Sequence, residues 1–117
     1  MLYSELKLNP YAYYFVLDID KKVSGYISTW IEGERGEIVN FYVSKKYQHQ
    51  GFGRMMLEFY LELCKMSGVK SISLEVRESN EVAISLYEEY GFTFSHKRER
   101  YYKDGEDALV LIKKVEE

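Results

Sequence analysis

The stretch YQHQGFGRMMLEFYLELC, Tyr47 to Cys64, sets two glycines two residues apart directly before a long apolar run. Phe52, Met56, Phe59, Leu63 and Met66 recur at helical spacing, and Leu57, Tyr60, Leu61 and Cys64 form a second apolar stripe beside them. Arg54, Glu58, Glu62 and Lys65 leave only a narrow polar face, so the pattern predicts a helix that is mostly buried, packed against a sheet. Gly68 is placed to end it. Glycines weaken a helix start by their freedom, so Gly51 and Gly53 imply that something comes very close to the backbone there.

Outward from this helix the chain alternates strands and turns. Pro10 after Asn9 marks a turn, and YAYYFVLDI (Tyr11 to Ile19) predicts a strand. Val23 to Ile31 and Glu37 to Val43 follow as strands separated by DIDKK and EGERG, which makes an antiparallel meander. Beyond Gly68, SISLEV (Ser71 to Val76) alternates Ile72, Leu74 and Val76 with Ser71, Ser73 and Glu75. Ser79 and Asn80 are good helix caps. The helix after them carries Ala83, Leu86, Tyr87 and Tyr90 on one face and stops at Gly91. Phe92 to Tyr102 and Ala108 to Val115 predict two last strands around the turn KDGED. The order β-β-β-α-β-α-β-β describes a mixed α/β (α+β) domain with one central sheet, a single domain over residues 1–117.

Composition narrows the function. The net charge of −3 argues against a broad nucleic-acid surface. No apolar run reaches the roughly twenty residues that span a bilayer, and Met1 is followed by no signal-like segment. The single cysteine, Cys64, has no internal disulfide partner and suits a reducing compartment. Together these predict a cytoplasmic protein that binds neither nucleic acid nor membrane. His49 and His96 lack neighbours at metal-ligand spacing, so no metal is expected, and Cys64 belongs to a buried stripe.

A strand, a glycine-bearing loop and a helix make an anion-binding arrangement. The first helical N–H groups have no internal partner, and glycines let phosphate oxygens reach them. Arg54 in the first turn can add charge. Two roles fit Gly51 and Gly53 equally from the residues alone: a phosphate cradle, or close packing of helix on sheet. The motif is neither a dinucleotide fingerprint nor a P-loop, since a third glycine and a following G-K-[ST] are both missing.

Three stretches together, YQHQGFGRMMLE, LEVRESNEVAISLYEEYGF and RYYKDGEDALVL, resemble the GNAT superfamily of N-acetyltransferases. Within it the chain is most similar to the RimI-type enzymes that acetylate protein N-terminal amines. The resemblance runs from about Tyr11 to the C-terminus. It implies acetyl-CoA as cosubstrate, held where two neighbouring parallel strands, Glu37–Val43 and Ser71–Val76, splay apart. It implies a pyrophosphate cradle made by the backbone of Gln48, His49, Gln50, Gly51, Phe52, Gly53 and Arg54. The end of the first splayed strand (Phe41, Tyr42, Val43) would also contact the coenzyme, with an N–H at Val43 steadying the developing oxyanion. Asn80 would touch the pantetheine arm.

The same resemblance assigns the chemistry. Glu75 would be the general base, acting through a water, and Tyr87, beside the coenzyme, the acid that protonates the departing thiolate. Tyr101 and Tyr102 would meet the acceptor backbone, and Glu37 is a weaker candidate for the acceptor amine. The implied acceptor is a protein or peptide N-terminus, such as that of a ribosomal protein. A small amine acceptor (polyamine or amino acid), or a coenzyme-binding module without catalysis, are the alternatives. Such proteins usually begin with a strand and one or two helices ahead of the meander, and the 10 residues before Tyr11 are too few for them. An unpaired aromatic edge at Tyr11–Ile19 would follow, with a homodimer as its expected consequence.

Overall fold

The computed structural model describes residues 2–4 and 10–115. Its strands are β1 (Leu2–Ser4), β2 (Ala12–Ile19), β3 (Lys22–Glu32), β4 (Arg35–Val43), β5 (Ser71–Arg77), β6 (Thr93–Arg98) and β7 (Ala108–Lys114). Helix α1 spans Phe52–Met66 and α2 spans Glu81–Glu89. The strands form one sheet in the order β1-β2-β3-β4-β5-β7-β6. Only β4 and β5 run parallel among its pairs, so the expected mixed α+β architecture holds, and the expected element order holds from β2 onward with one further strand, β1, ahead of it.

Two expectations need correction at the edges. The outer strand of the meander is not a bare edge, because β1 pairs antiparallel with β2 through Leu2↔Leu17 and Ser4↔Phe15. That removes the premise of the edge-driven homodimer. The strand expected over Phe92–Tyr102 stops at Arg98. Arg100 takes a left-handed backbone (φ 51) and its N–H donates to Asp107 Oδ1 at 2.9 Å, which turns Tyr101 and Tyr102 into a loop.

Both helices bury their apolar faces in one core. Met56, Leu57, Tyr60 and Cys64 of α1 meet Ile27, Ile38, Ile72 and Leu74 of the sheet, and Tyr87 of α2 joins them with Phe92. Helix α1 is less buried than its two stripes suggest: Phe59 and Met66 are exposed, because the sheet is long enough to cover one face only. Gly68, left-handed at φ 79, follows the helix end as expected.

The core decides one glycine by contact. A Cβ at Gly36 would lie 2.6 Å from the Tyr60 hydroxyl oxygen and 3.4 Å from the Cys64 sulfur. That hydroxyl donates to the carbonyls of Trp30 (2.9 Å) and Glu37 (3.3 Å), so Tyr60 pins the β3–β4 pair from beneath. Gly36→Ala is expected to lower stability by about 1–3 kcal/mol through overpacking, read as a fall in Tm. The Gly36→Ala/Tyr60→Phe double variant should lose less than the sum of the two singles, since the clashing oxygen is gone. Additive losses would show that the two residues do not share this contact.

Candidate active site

The site begins with a break in the sheet. β4 and β5 pair from Arg35↔Ser71 to Ile38↔Leu74, and no further, although β4 continues to Val43 and β5 to Arg77. The cause lies on the other side of β4. Its register with β3 jumps from Thr29↔Ile38 to Ser28↔Asn40, so Val39 is a bulged extra residue. A bulge bends its strand and raises the local twist, here turning β4 away from β5. Beyond Ile38 the backbone groups of β4 that face β5 have no strand partner.

The opening is a cleft of about 810 Å³. A gap in the sheet joins its two faces, and this brings together residues that a continuous sheet would separate. β5 alternates Ile72, Leu74 and Val76 into the core with Ser73, Glu75 and Arg77 on the opposite face. Tyr87 belongs to the core side. Even so, Glu75 and Tyr87 line the same cleft, together with Glu37, Phe41, Val43, Gln48, His49, Gly53, Asn80, Tyr101 and Tyr102.

Glu75 is three-quarters buried, and its Oε2 is buried with no hydrogen-bond partner among the described residues. Its Oε1 lies 3.7 Å from Arg98 Nε. An orphaned buried carboxylate oxygen is costly, and in native structures it calls for a water or a substrate donor. The Glu75 carboxylate nearby is the main cause that holds the Tyr101 phenol above its ordinary pKa.

Tyr87 is 6% exposed, with its ring edge-on to Phe41 (6.3 Å between centroids) and Phe92 (5.6 Å). Burial is the main cause that pushes its phenol up to about 12, with Tyr102 adding to it. Tyr87 therefore keeps its proton at neutral pH. Tyr90 lies outside the cleft, where its hydroxyl donates to Glu58 Oε2 at 2.7 Å.

The glycine loop is built for exposed N–H groups. Ser44 to Gln50 lead through a short helical turn (Lys45–Tyr47), and Gln48 Nε2 donates to the Val43 carbonyl at 2.9 Å, tying the loop to the end of β4. His49 (φ 63) and Gly51 (φ 86) are both left-handed. Gly51 is the N-terminal flank of α1; no side chain caps the helix, and no acidic residue stands in its first turn. Close packing is not the reason for these glycines. A Cβ at Gly51 would meet nothing within 4 Å, and one at Gly53 would find only ordinary contact with Phe41 (3.7 Å) and Val43 (3.9 Å).

Some expected residues stand elsewhere. Tyr42 points away from the cleft and packs on Tyr26, with centroids 5.6 Å apart. Gln50, Gly51, Phe52 and Arg54 are not among the cleft-lining residues. The Arg54 guanidinium is matched by Glu89 (Nη1–Oε2 2.6 Å, Nη2–Oε1 2.9 Å), so its charge is already paired across to α2. Asn80 lines the cleft while its Oδ1 accepts from the Ala83 N–H at 3.2 Å, capping α2. Val39, Asn40 and Arg77 also line the cleft. A bulge leaves no residue-type signal, which hid the first two, and Arg77 reads in sequence as an ordinary strand-end charge.

The description "Acetyltransferase (GNAT) family" matches residues 2–92. A Bacillus subtilis (strain 168) protein, provisionally named a ribosomal protein bS18-alanine N-acetyltransferase, is 39% identical over 93% of this chain and 73% of its own length. The crystal structure of the ribosomal-protein-S18-alanine N-acetyltransferase from Escherichia coli superposes with a TM-score of 0.86 at 33% identity, over 93% of this chain and 72% of that one. A GNAT acetyltransferase from Elizabethkingia anophelis, solved with acetyl-CoA bound, shares the fold (TM-score 0.84, 18% identity) over 97% of both chains. No helix among the described residues is long and apolar enough to cross a membrane. The chain belongs to the GNAT family of acetyltransferases, enzymes that use acetyl-CoA.

Proposed function

We propose that this domain, residues 1–117, transfers an acetyl group from acetyl-CoA to the N-terminal α-amine of a protein or peptide in one ternary complex. The observation that carries this is the meeting of Glu75, with its unpartnered buried oxygen, and the proton-holding Tyr87 in one cleft opened by the splay of β4 and β5. An α-amine has a pKa near about 8, so a carboxylate acting through a water is base enough. Glu75 takes the amine proton as the new C–N bond forms. Tyr87 supplies a proton to sulfur as the C–S bond breaks. Backbone N–H groups at the end of β4, around Val43, face the developing oxyanion. Gln48 to Arg54 offer main-chain donors to the coenzyme pyrophosphate, and Asn80 its amide to the pantetheine arm.

On the acceptor side stand Glu37, Tyr101 and Tyr102. A carboxylate and two phenols suit a peptide backbone with a free amine. The relatives named for bS18-alanine acetylation make a ribosomal protein N-terminus, met in the cytoplasm, the first acceptor to try. The test is steady-state acetyl transfer to a panel of peptides differing in their first residue, with polyamines and free amino acids alongside. Turnover on a peptide whose α-amine is blocked but whose lysines are free, or on small amines alone, would overturn the α-amine assignment.

The glycine loop gives a separate check. Gly51→Val forces a β-branched residue to φ 86, a cost of roughly 1–2 kcal/mol in stability. It should also shift the loop N–H groups and weaken acetyl-CoA binding about tenfold or more, read by calorimetry well below Tm. Unchanged affinity in a folded Gly51→Val protein would remove the loop from the coenzyme site.

A further inference from the structure

We propose that Arg77 is a positioning residue for the acceptor, clamping the loop between β6 and β7 so that Tyr101 and Tyr102 stand over Glu75. The inference rests on the acetyl-transfer function above and adds a residue to its acceptor side.

The clamp is visible atom by atom. Arg77 Nη1 reaches Asp104 Oδ2 at 2.8 Å and Glu106 Oε1 at 2.9 Å. Its guanidinium also lies over the Tyr102 ring, 4.1 Å from the centroid. The second oxygen of Glu106 accepts from the Ser79 N–H at 2.8 Å, and Asp104 Oδ1 accepts from the Glu106 N–H at 3.0 Å. Within the loop, Tyr102 N–H donates to the Glu106 carbonyl and Gly105 N–H to the Tyr102 carbonyl. Arg77 fastens the middle of a nine-residue return (Glu99 to Asp107) onto the turn that leaves β5, while its far end is held by Lys97, on Glu78 (2.9 Å) and Asp107 (3.7 Å), and by the Glu78 N–H on the Asp107 carbonyl (3.1 Å).

What the clamp holds is the acceptor wall. Glu75 and Arg77 are two apart on β5 and share a face. Tyr102 is stacked on Arg77, Tyr101 packs edge-on to Tyr102 (5.1 Å, 86°), and both tyrosines line the cleft with Glu75. The chain of contacts runs Arg77–Tyr102–Tyr101 along the cleft wall beside Glu75, so the guanidinium helps set the position of both rings. A guanidinium suits this work because one of its nitrogens, Nη1, meets both carboxylates while its planar face covers a ring, and an ammonium has no such face. The ion pairs are about half exposed, so their worth lies in placing the loop and not in global stability.

The experiment measures acceptor KM, kcat, acetyl-CoA affinity by calorimetry, and Tm. Arg77→Gln should raise acceptor KM about tenfold or more, while coenzyme affinity stays within about twofold and Tm within a few degrees. Arg77→Lys should fall between the two, keeping the charge without the fork. Asp104→Asn with Glu106→Gln, made in the loop itself, should reproduce the KM rise, and adding Arg77→Gln to it should change KM little further, because all three belong to one clamp. If wild type acetylates peptides while Arg77→Gln and the loop variant keep wild-type acceptor KM, Arg77 does not position the acceptor and the transferase function stands. An equal fall in coenzyme affinity and acceptor affinity would make Arg77 a structural residue of the whole cleft. A wild type with no turnover on any α-amine removes the function and this inference together.

Discussion

Glu75→Gln should lower acetyl turnover at neutral pH by about 10²–10³-fold, the scale of a lost general base. Glutamine keeps the size and flat shape of the side chain and removes only the ability to take a proton. The pH profile separates this role from a structural one. Above the amine pKa of about 8 the acceptor is already neutral, and the base has less to do. The deficit should therefore shrink as pH rises from 7 to 9, and an equal deficit at every pH would exclude a base. Acetyl-CoA affinity should hardly move. Stability should be unchanged or slightly higher, because the carboxylate keeps a buried oxygen without a partner and its Arg98 neighbour is half exposed at 3.7 Å. A marked drop in Tm would mean that Glu75 is there to hold the strand.

Tyr87→Phe should reduce turnover by about 10²-fold or more if the phenol protonates the leaving thiolate. The substitution keeps the ring on Phe41 and Phe92 and removes one oxygen. Loss of stability should be on the order of 1 kcal/mol or less, since no described residue holds the hydroxyl in a hydrogen bond. The phenol is pushed up to about 12 by burial, so its titration leaves the neutral range untouched. No acidic or alkaline limb between pH 6 and 9 should belong to it. Tyr90→Phe is the matched control. Its hydroxyl serves Glu58 on the surface outside the cleft, so turnover should stay at wild type. Wild-type turnover in Tyr87→Phe would return Tyr87 to the core as packing alone.

The local rules were enough for both α-helices and for strands β2 to β7, except at their ends. Alternation in SISLEV, apolar spacing from Phe52 to Met66, and the caps at Asn80 and Gly68 are short-range effects of backbone and solvent, and they appear in the structure where the residues place them. The boundaries slipped where distant contacts intervene. β6 ends at Arg98 because Asp107, nine residues on, takes the Arg100 N–H. β1 was missed because a three-residue strand gains its hydrogen bonds only from a partner already in place. Glu75 and Tyr87 were named through a family likeness; by residue type alone, one is a strand carboxylate and the other a core tyrosine.

What only the tertiary structure decided is why those two meet. By alternation Glu75 belongs to one face of the sheet and Tyr87 to the other. A bulge at Val39 ends the β4–β5 pairing at Ile38↔Leu74 and opens a passage between the faces. Nothing in the identity of Val39 announces it, since a bulge is a mismatch of register between two strands and exists only once both are paired. The same holds for Arg77, Asp104 and Glu106, whose separation of 27 and 29 residues along the chain hides a contact that the closed sheet makes short. Residue types set the available chemistry, and register set which of it shares a cleft.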